Sequence, residues 1–207
     1  MLIDITKIHF DPEIRGVIHV GANTAEEQPI YDKLGVKKVL YIDARKESID
    51  IIERKYRDNP DIIALHYVIS DKCEWHDFNI SSNAGASSSL LKLGTHKKHH
   101  PKIDMVKTEM ALTTTLNIVF ETPILHIEDY NFINLDIQGT ELRALKGFGD
   151  NIKCMDYIYT EINIEEVYEG CDQLNELEDY IFKFGFRRLE MNLTKFNWGD
   201  ALYYKSK

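Results

Sequence analysis

Apolar residues fall in short runs closed by turn residues, and between the runs they recur at helical spacing. Gly16 to Val20 is a buried-strand pattern that stops at Gly21-Ala22-Asn23, after which Ile30, Tyr31 and Leu34 share one face of a helix. Gly35 ends that helix and Lys38 to Ile42 makes a second strand. Ile49, Ile52 and Tyr56 then return at helical spacing until Asn59-Pro60 breaks the pattern. A third strand is predicted from Ile62 to Ile69. Strands alternating with helices in this way imply right-handed crossovers and a parallel sheet covered on both faces.

The rhythm lapses over residues 71–127, which are rich in serine, lysine and histidine, with small residues from Ser81 to Ser89 and a β-like run from Met110 to Phe120. This stretch reads as an insertion over the cleft of a single domain spanning residues 1–207. Regularity resumes with a strand from Phe132 to Ile137, a helix from Thr140 to Leu145 and a strand from Tyr157 to Ile162. A helix with Leu174, Leu177, Ile181 and Phe184 on one face ends at Gly185, where a C-cap glycine belongs. Two last strands, Arg187 to Met191 and Ala201 to Tyr204, are joined through Asn197-Trp198-Gly199. The expected fold is α/β and Rossmann-like: a mostly parallel seven-stranded sheet, helices on both faces, and a C-terminal antiparallel hairpin.

Composition narrows the function. The chain carries 34 acids against 25 bases, a net charge of −9, so it offers no global attraction to nucleic acid or anionic lipid. Met1 to Pro12 lacks the apolar stretch of a signal peptide or membrane span, which predicts a cytoplasmic protein. Cys73, Cys154 and Cys171 are too scattered for a disulfide framework or a thiolate metal site.

The candidate chemistry gathers at predicted strand ends. Gly21 lets the backbone approach a ligand at the start of the next helix, and about 20 residues on Asp43 can accept hydrogen bonds from ribose hydroxyls. The turn lacks the second and third glycines of a pyrophosphate-binding loop, which favours a nucleoside cofactor without phosphates and argues against a nicotinamide dehydrogenase. Asp136-Ile137-Gln138-Gly139-Thr140-Glu141 and Thr160-Glu161-Ile162-Asn163 place further polar groups at neighbouring strand ends. The bland alternative is that Asp136 caps the helix and Glu141 answers its dipole. His19 has its own bland alternative, a core histidine. Thr95 to Pro101, with His96, His99 and His100, reads as a solvated loop that could place a positive edge beside an acceptor. Trp75, Phe78 and Trp198 are aromatic candidates for stacking on a sugar.

These motifs together resemble the FkbM family of S-adenosylmethionine-dependent methyltransferases. The likeness rests on Val20-Gly21-Ala22-Asn23, Asp43, Val68-Ile69-Ser70-Asp71, Ser87 to Ser89, Thr115-Leu116, the run Asp136-Ile137-Gln138-Gly139-Thr140-Glu141-Leu142, and Glu161 with Tyr168. It implies the class I methyltransferase fold and S-adenosylmethionine as cofactor, with S-adenosylhomocysteine as product. Gly21 and Asn23 would lie at the methionine end, Asp43 on the ribose, and Ser70 and Asp71 beside the adenine. His19, Ala22, Glu27, Ala44, Ser88 and Asp136 complete the implied cofactor set. Members often carry an acid where His19 stands, a glycine where Ala25 stands and a lysine where Asn134 stands.

The reaction then expected is methyl transfer to a hydroxyl, with Asp136 as first choice of general base and Glu161 as second. A divalent ion held by those oxygens is the alternative device for acidifying the hydroxyl. Ser89, His99, Gln138, Glu141 and Asn163 are the candidate acceptor-binding residues. The expected acceptor is a sugar or glycan. A small-molecule natural product and a non-catalytic nucleoside-binding or interaction module are the competing readings.

Overall fold

The computed structural model describes residues 1–206. Strands β1 (Gly16–Val20), β2 (Lys38–Asp43) and β3 (Ile62–His66) alternate with helices α1 (Gln28–Lys33) and α2 (Lys46–Tyr56). The middle of the chain supplies β4 (Val68–Ile69), β5 (Trp75–Ser81), α3 (Thr95–His99), β6 (Met105–Thr114) and α4 (Leu116–Val119). The alternation resumes with β7 (Phe132–Leu135), α5 (Glu141–Phe148), β8 (Tyr157–Asn163), α6 (Leu174–Ile181), β9 (Phe186–Leu193) and β10 (Trp198–Lys205).

Seven of these strands form the central sheet in the order β3-β2-β1-β7-β8-β10-β9. β10 runs antiparallel to both of its neighbours, wedged between β8 and β9, while the others pair in parallel. The mostly parallel sheet and the closing hairpin are those expected from the sequence. Alternate residues of each strand feed two cores: Ile18, Ile133 and Ile158 face α5 and α6, whereas Val17, Phe132 and Tyr159 face α1, α2 and the N-terminal segment carrying Ile3, Ile5 and Phe10.

Three local expectations change. The strand predicted over Ile62 to Ile69 breaks at Tyr67, because Val68 and Ile69 leave the main sheet to pair with β6. The β-like run from Met110 ends at Thr114; Thr115 then caps a helical turn, its hydroxyl oxygen accepting the Ile118 N–H at 3.2 Å. The histidine-rich stretch is a short helix rather than a loop, since the N–H groups of Gly94, Thr95 and His96 are anchored on the carbonyls of Val167 and Glu166.

Register decides where the polar strand ends meet. Val20 pairs with Leu135 and Leu135 with Thr160, so Gly21, Asp136 and Glu161 follow one another across three strands. Asp200 is the direct cross-strand partner of Glu161, because antiparallel β10 begins where β8 ends.

Candidate active site

Two cavities open at this edge of the sheet. The first is a narrow slot with free volume of about 60 Å³, bounded by Gly21, Asn23, Asp43, Ala44 and the apolar side chains of Ile42, Val68, Ile69, Phe78 and Leu90. The second, about 310 Å³, is bounded by Glu27, Glu161, Asp200, His96, Tyr168 and Trp198 among others. Asp136, Gln138 and Ala86 border both.

Asp43 is held for ligand binding from two sides. Its Oδ2 accepts the Asn23 N–H at 2.8 Å and its Oδ1 the Arg45 N–H at 2.8 Å, which leaves lone pairs on both oxygens for hydroxyl donors. Burial raises its pKa and those two N–H bonds oppose the rise. The turn before it needs glycine: Gly21 has φ +84°, and a Cβ there would fall 1.8 Å from the Asp136 carbonyl oxygen. Asn23 also takes a left-handed conformation, φ 44°, which asparagine tolerates.

The loop of the insertion over residues 83–88 divides the slot from the larger cavity. Gly85 and Ser88 line the slot, Asn83 and Ser87 the larger cavity. The Arg45 guanidinium donates to the Ala84 carbonyl and lies where a side chain on Gly85 would have to go. This contact closes the strap over the slot.

At the common wall, the amide Nε2 of Gln138 donates to Asp136 Oδ1 at 2.5 Å and to Glu161 Oε2 at 3.0 Å, while its Oε1 accepts from the Tyr168 hydroxyl at 2.5 Å. One amide thus joins two carboxylates. The Asp136 side chain is exposed to the cavity space, with protein packed densely around it. Burial, then the Asp200 carboxylate, raises its pKa to about 6. Glu161, only 7% exposed, is pushed well above the ordinary carboxylate range by burial first and by Asp136 next. Burial and the neighbouring carboxylates thus push both members of the pair upward, Glu161 well above its ordinary range.

Other expected residues have different places. His19 is buried, its Nδ1 accepting from the Tyr31 hydroxyl at 3.2 Å, and Asn134 donates to that same hydroxyl at 2.9 Å. Burial lowers the His19 pKa to about 4, so it is a neutral core histidine outside both cavities. Ala22 is buried in the turn, its N–H bonded to the Ile42 carbonyl. Ser70 donates to Asp71 at 3.3 Å against the backbone of Gly147, and it is Val68 and Ile69 that line the slot in their stead.

Among the acceptor candidates, Gln138 lines the cavity and Glu27, expected at the cofactor, lies there too. Ser89 instead braces the loop, donating to the Gln138 carbonyl at 2.8 Å. Glu141 folds back to accept the N–H groups of Ile137 and Gly139 at 3.0 and 3.1 Å, and burial raises its pKa to about 8. It shapes the turn that carries Asp136 and touches neither cavity. Asn163 is buried outside both cavities. His99 is a correction: it stacks on Phe196, ring centres 4.6 Å apart, while His96 on α3 and His100 at its C-cap line the cavity. Of the aromatics, Phe78 lines the slot and Trp198 the cavity, but Trp75 is 64% exposed. No three His, Cys, Asp or Glu among the described residues are grouped to hold a metal ion.

Sequence reasoning did not single out Asp200, Tyr159 or Arg45, and from the histidine run it chose His99 rather than His96. An acid inside an otherwise apolar strand was the available signal for Asp200, and helical spacing within the histidine run the signal for His96.

A family model, the methyltransferase FkbM domain, matches residues 19–188. The chain belongs to the FkbM family of methyltransferases. The match spans both cavities' main walls, from β1 to β9, and leaves Asp200 beyond its end. A comparison with curated proteins finds no match in sequence. Solved structures share the fold at low identity. An uncharacterized protein from Listeria monocytogenes serotype 4b aligns at a TM-score of 0.54 and 8% identity, over 99% of this chain and 66% of that one. A protein in the NADB-Rossmann superfamily from Streptococcus agalactiae aligns at 0.52 and 8% identity, over 91% and 61% of the two chains. TrmK of M. capricolum, in complex with S-adenosylhomocysteine, aligns at 0.50 and 8% identity, over 93% and 62%. The FkbM-family chain thus has the Rossmann-like sheet of class I methyltransferases. Among its described residues no helix is long and apolar enough to cross a membrane.

Proposed function

We propose that this FkbM-family methyltransferase transfers the methyl group of S-adenosylmethionine to a hydroxyl oxygen of a sugar or glycan. The observation that carries the reading is the position of Asp136, a carboxylate bordering both the slot and the larger cavity. The slot suits a nucleoside: a glycine turn with no room for a Cβ, a carboxylate with free lone pairs, and apolar walls for a base. When bound there, S-adenosylmethionine supplies an electrophilic methyl group on a sulfonium sulfur.

Asp43 and Asn23 would hold the ribose and the methionine end, and Phe78, Val68 and Ile69 the adenine. The strap held by Arg45 covers the slot, and its opening would admit the ligand. The larger cavity takes the acceptor, and its hydroxyl loses a proton to the Asp136 carboxylate as the oxygen–methyl bond forms and the sulfur–methyl bond breaks. Gln138 orients Asp136 as the base and ties it to Glu161, whose pKa burial pushes well up. Alignment of the two reactants across the Asp136 wall supplies much of the acceleration, roughly 7–11 kcal/mol in well-oriented systems. Trp198, half-buried at the cavity wall, offers an aromatic surface for a sugar ring. The four acids around this cavity, with the net charge of −9, disfavour a nucleic-acid acceptor.

The test is a methyl-transfer assay on monosaccharides and glycans, with and without chelator, using the parent and Asp136→Asn. Transfer to a hydroxyl that is lost in Asp136→Asn while S-adenosylhomocysteine still binds supports the reading. Transfer at the parent rate in the variant removes Asp136 from the base role.

A further inference from the structure

The acceptor cavity is lined by more acid than base. Glu27, Asp136, Glu161 and Asp200 border it with no lysine or arginine; the Met1 ammonium, also at the wall, lies 3.8 Å from Glu27 Oε1, which leaves Asp136 and Asp200 with no cation in contact. Asp200 is occupied at its Oδ2 by the Leu2 N–H at 2.5 Å and by the Tyr159 hydroxyl, so it is fixed in place without a cationic side chain to balance it. On the insertion's side of the cavity stands His96, 8% exposed, whose Nε2 lies 3.4 Å from the Ser87 hydroxyl and whose buried Nδ1 has no hydrogen-bond partner. A buried polar nitrogen left unpaired at a cavity wall is costly unless a ligand or water completes it. Burial also keeps this ring neutral, its pKa lowered to about 4, so it does not offset the acids.

Resting on the reading of this cavity as the acceptor site, we infer that the acceptor is a hydroxyl compound without negative charge, and that an amine-bearing sugar is preferred to its carboxylate-bearing counterpart. An ammonium group gains charge-assisted hydrogen bonds from the acidic wall. A second carboxylate placed beside Asp136 and Asp200 meets like charge and is repelled.

The test uses matched probes at neutral pH: glucosamine, glucose and glucuronate, titrated in the presence of S-adenosylhomocysteine. In a Trp75→Phe background Trp198 is the sole tryptophan of the chain, and it reports from the cavity wall. The expected order is glucosamine, then glucose, with glucuronate weakest by at least roughly tenfold against glucosamine. Asp200→Asn, which keeps an oxygen acceptor for the Leu2 N–H and the Tyr159 hydroxyl, narrows that gap severalfold. Glucuronate binding as tightly as glucosamine, or no response to any of the three probes, overturns the inference. Calorimetry with S-adenosylhomocysteine on the same sample separates the two levels: uptake without the sugar preference sinks only this inference, whereas absence of uptake sinks the functional reading beneath it.

Discussion

Gly21 and Asp136, 115 positions apart in sequence and adjacent across β1 and β7, touch so closely that a Cβ on Gly21 would lie 1.8 Å from the Asp136 carbonyl oxygen. The turn of the slot and the wall of the larger cavity are therefore in direct backbone contact. Gly21→Ala should cost more than about 1 kcal/mol of stability, because alanine resists φ +84° and displaces Asp136. Denaturant unfolding measures that loss. Calorimetry should show S-adenosylhomocysteine binding weakened by at least ~tenfold, and unchanged affinity would show that the turn does not hold the cofactor.

The raised pKa of Asp136 sets the pH profile. A base with a pKa of about 6 must be deprotonated to work, so kcat/KM should fall as pH drops through that value rather than through the ordinary carboxylate range. Asp136→Asn should lower kcat by ~10²–10⁴ and remove this acid limb. An acid limb that persists in the variant would assign it to another group.

Glu161 makes a stability prediction of opposite sense to a salt-bridged acid. Its folded pKa is raised, so above its ordinary value of 4.5 the native state holds a proton that the unfolded chain has released. Rising pH then favours unfolding across the interval up to the folded value. Glu161→Gln should flatten that decline and raise the melting temperature at neutral pH. A lower melting temperature at neutral pH would mean that the carboxylate is ionised and stabilising.

Arg45 should act as a latch. Arg45→Ala frees the strap at Ala84 and Gly85, so stopped-flow measurements should show S-adenosylhomocysteine associating and dissociating severalfold faster. Unchanged rates would place the barrier to cofactor admission elsewhere.

Much of this protein is legible in its amino-acid order, because the features concerned are local. Gly16 to Val20, Lys38 to Ile42 and Tyr157 to Ile162 are apolar for a full strand length, and the turns after them carry residues whose backbone preferences announce a stop. Gly21, Asp43, Asp136 and Glu161 each stand at such a stop, where an open parallel sheet binds its ligands. The histidine run was harder, since its helix exists only through bonds from Gly94, Thr95 and His96 to carbonyls near Val167, more than 60 residues away. Glu141 looked like a cleft residue and proved to be the brace of its own loop, a distinction that depends on where the side chain turns.

From sequence alone came the alternation of strands and helices, the closing hairpin and the polar residues at the strand ends, because periodicity and turn chemistry act between near neighbours. Tertiary structure alone decided that β10 slots between β8 and β9, and so that Asp200 stands opposite Glu161 and completes the acidic wall. That pairing is a matter of which strand edge is left to be covered, and no local preference along the chain encodes it.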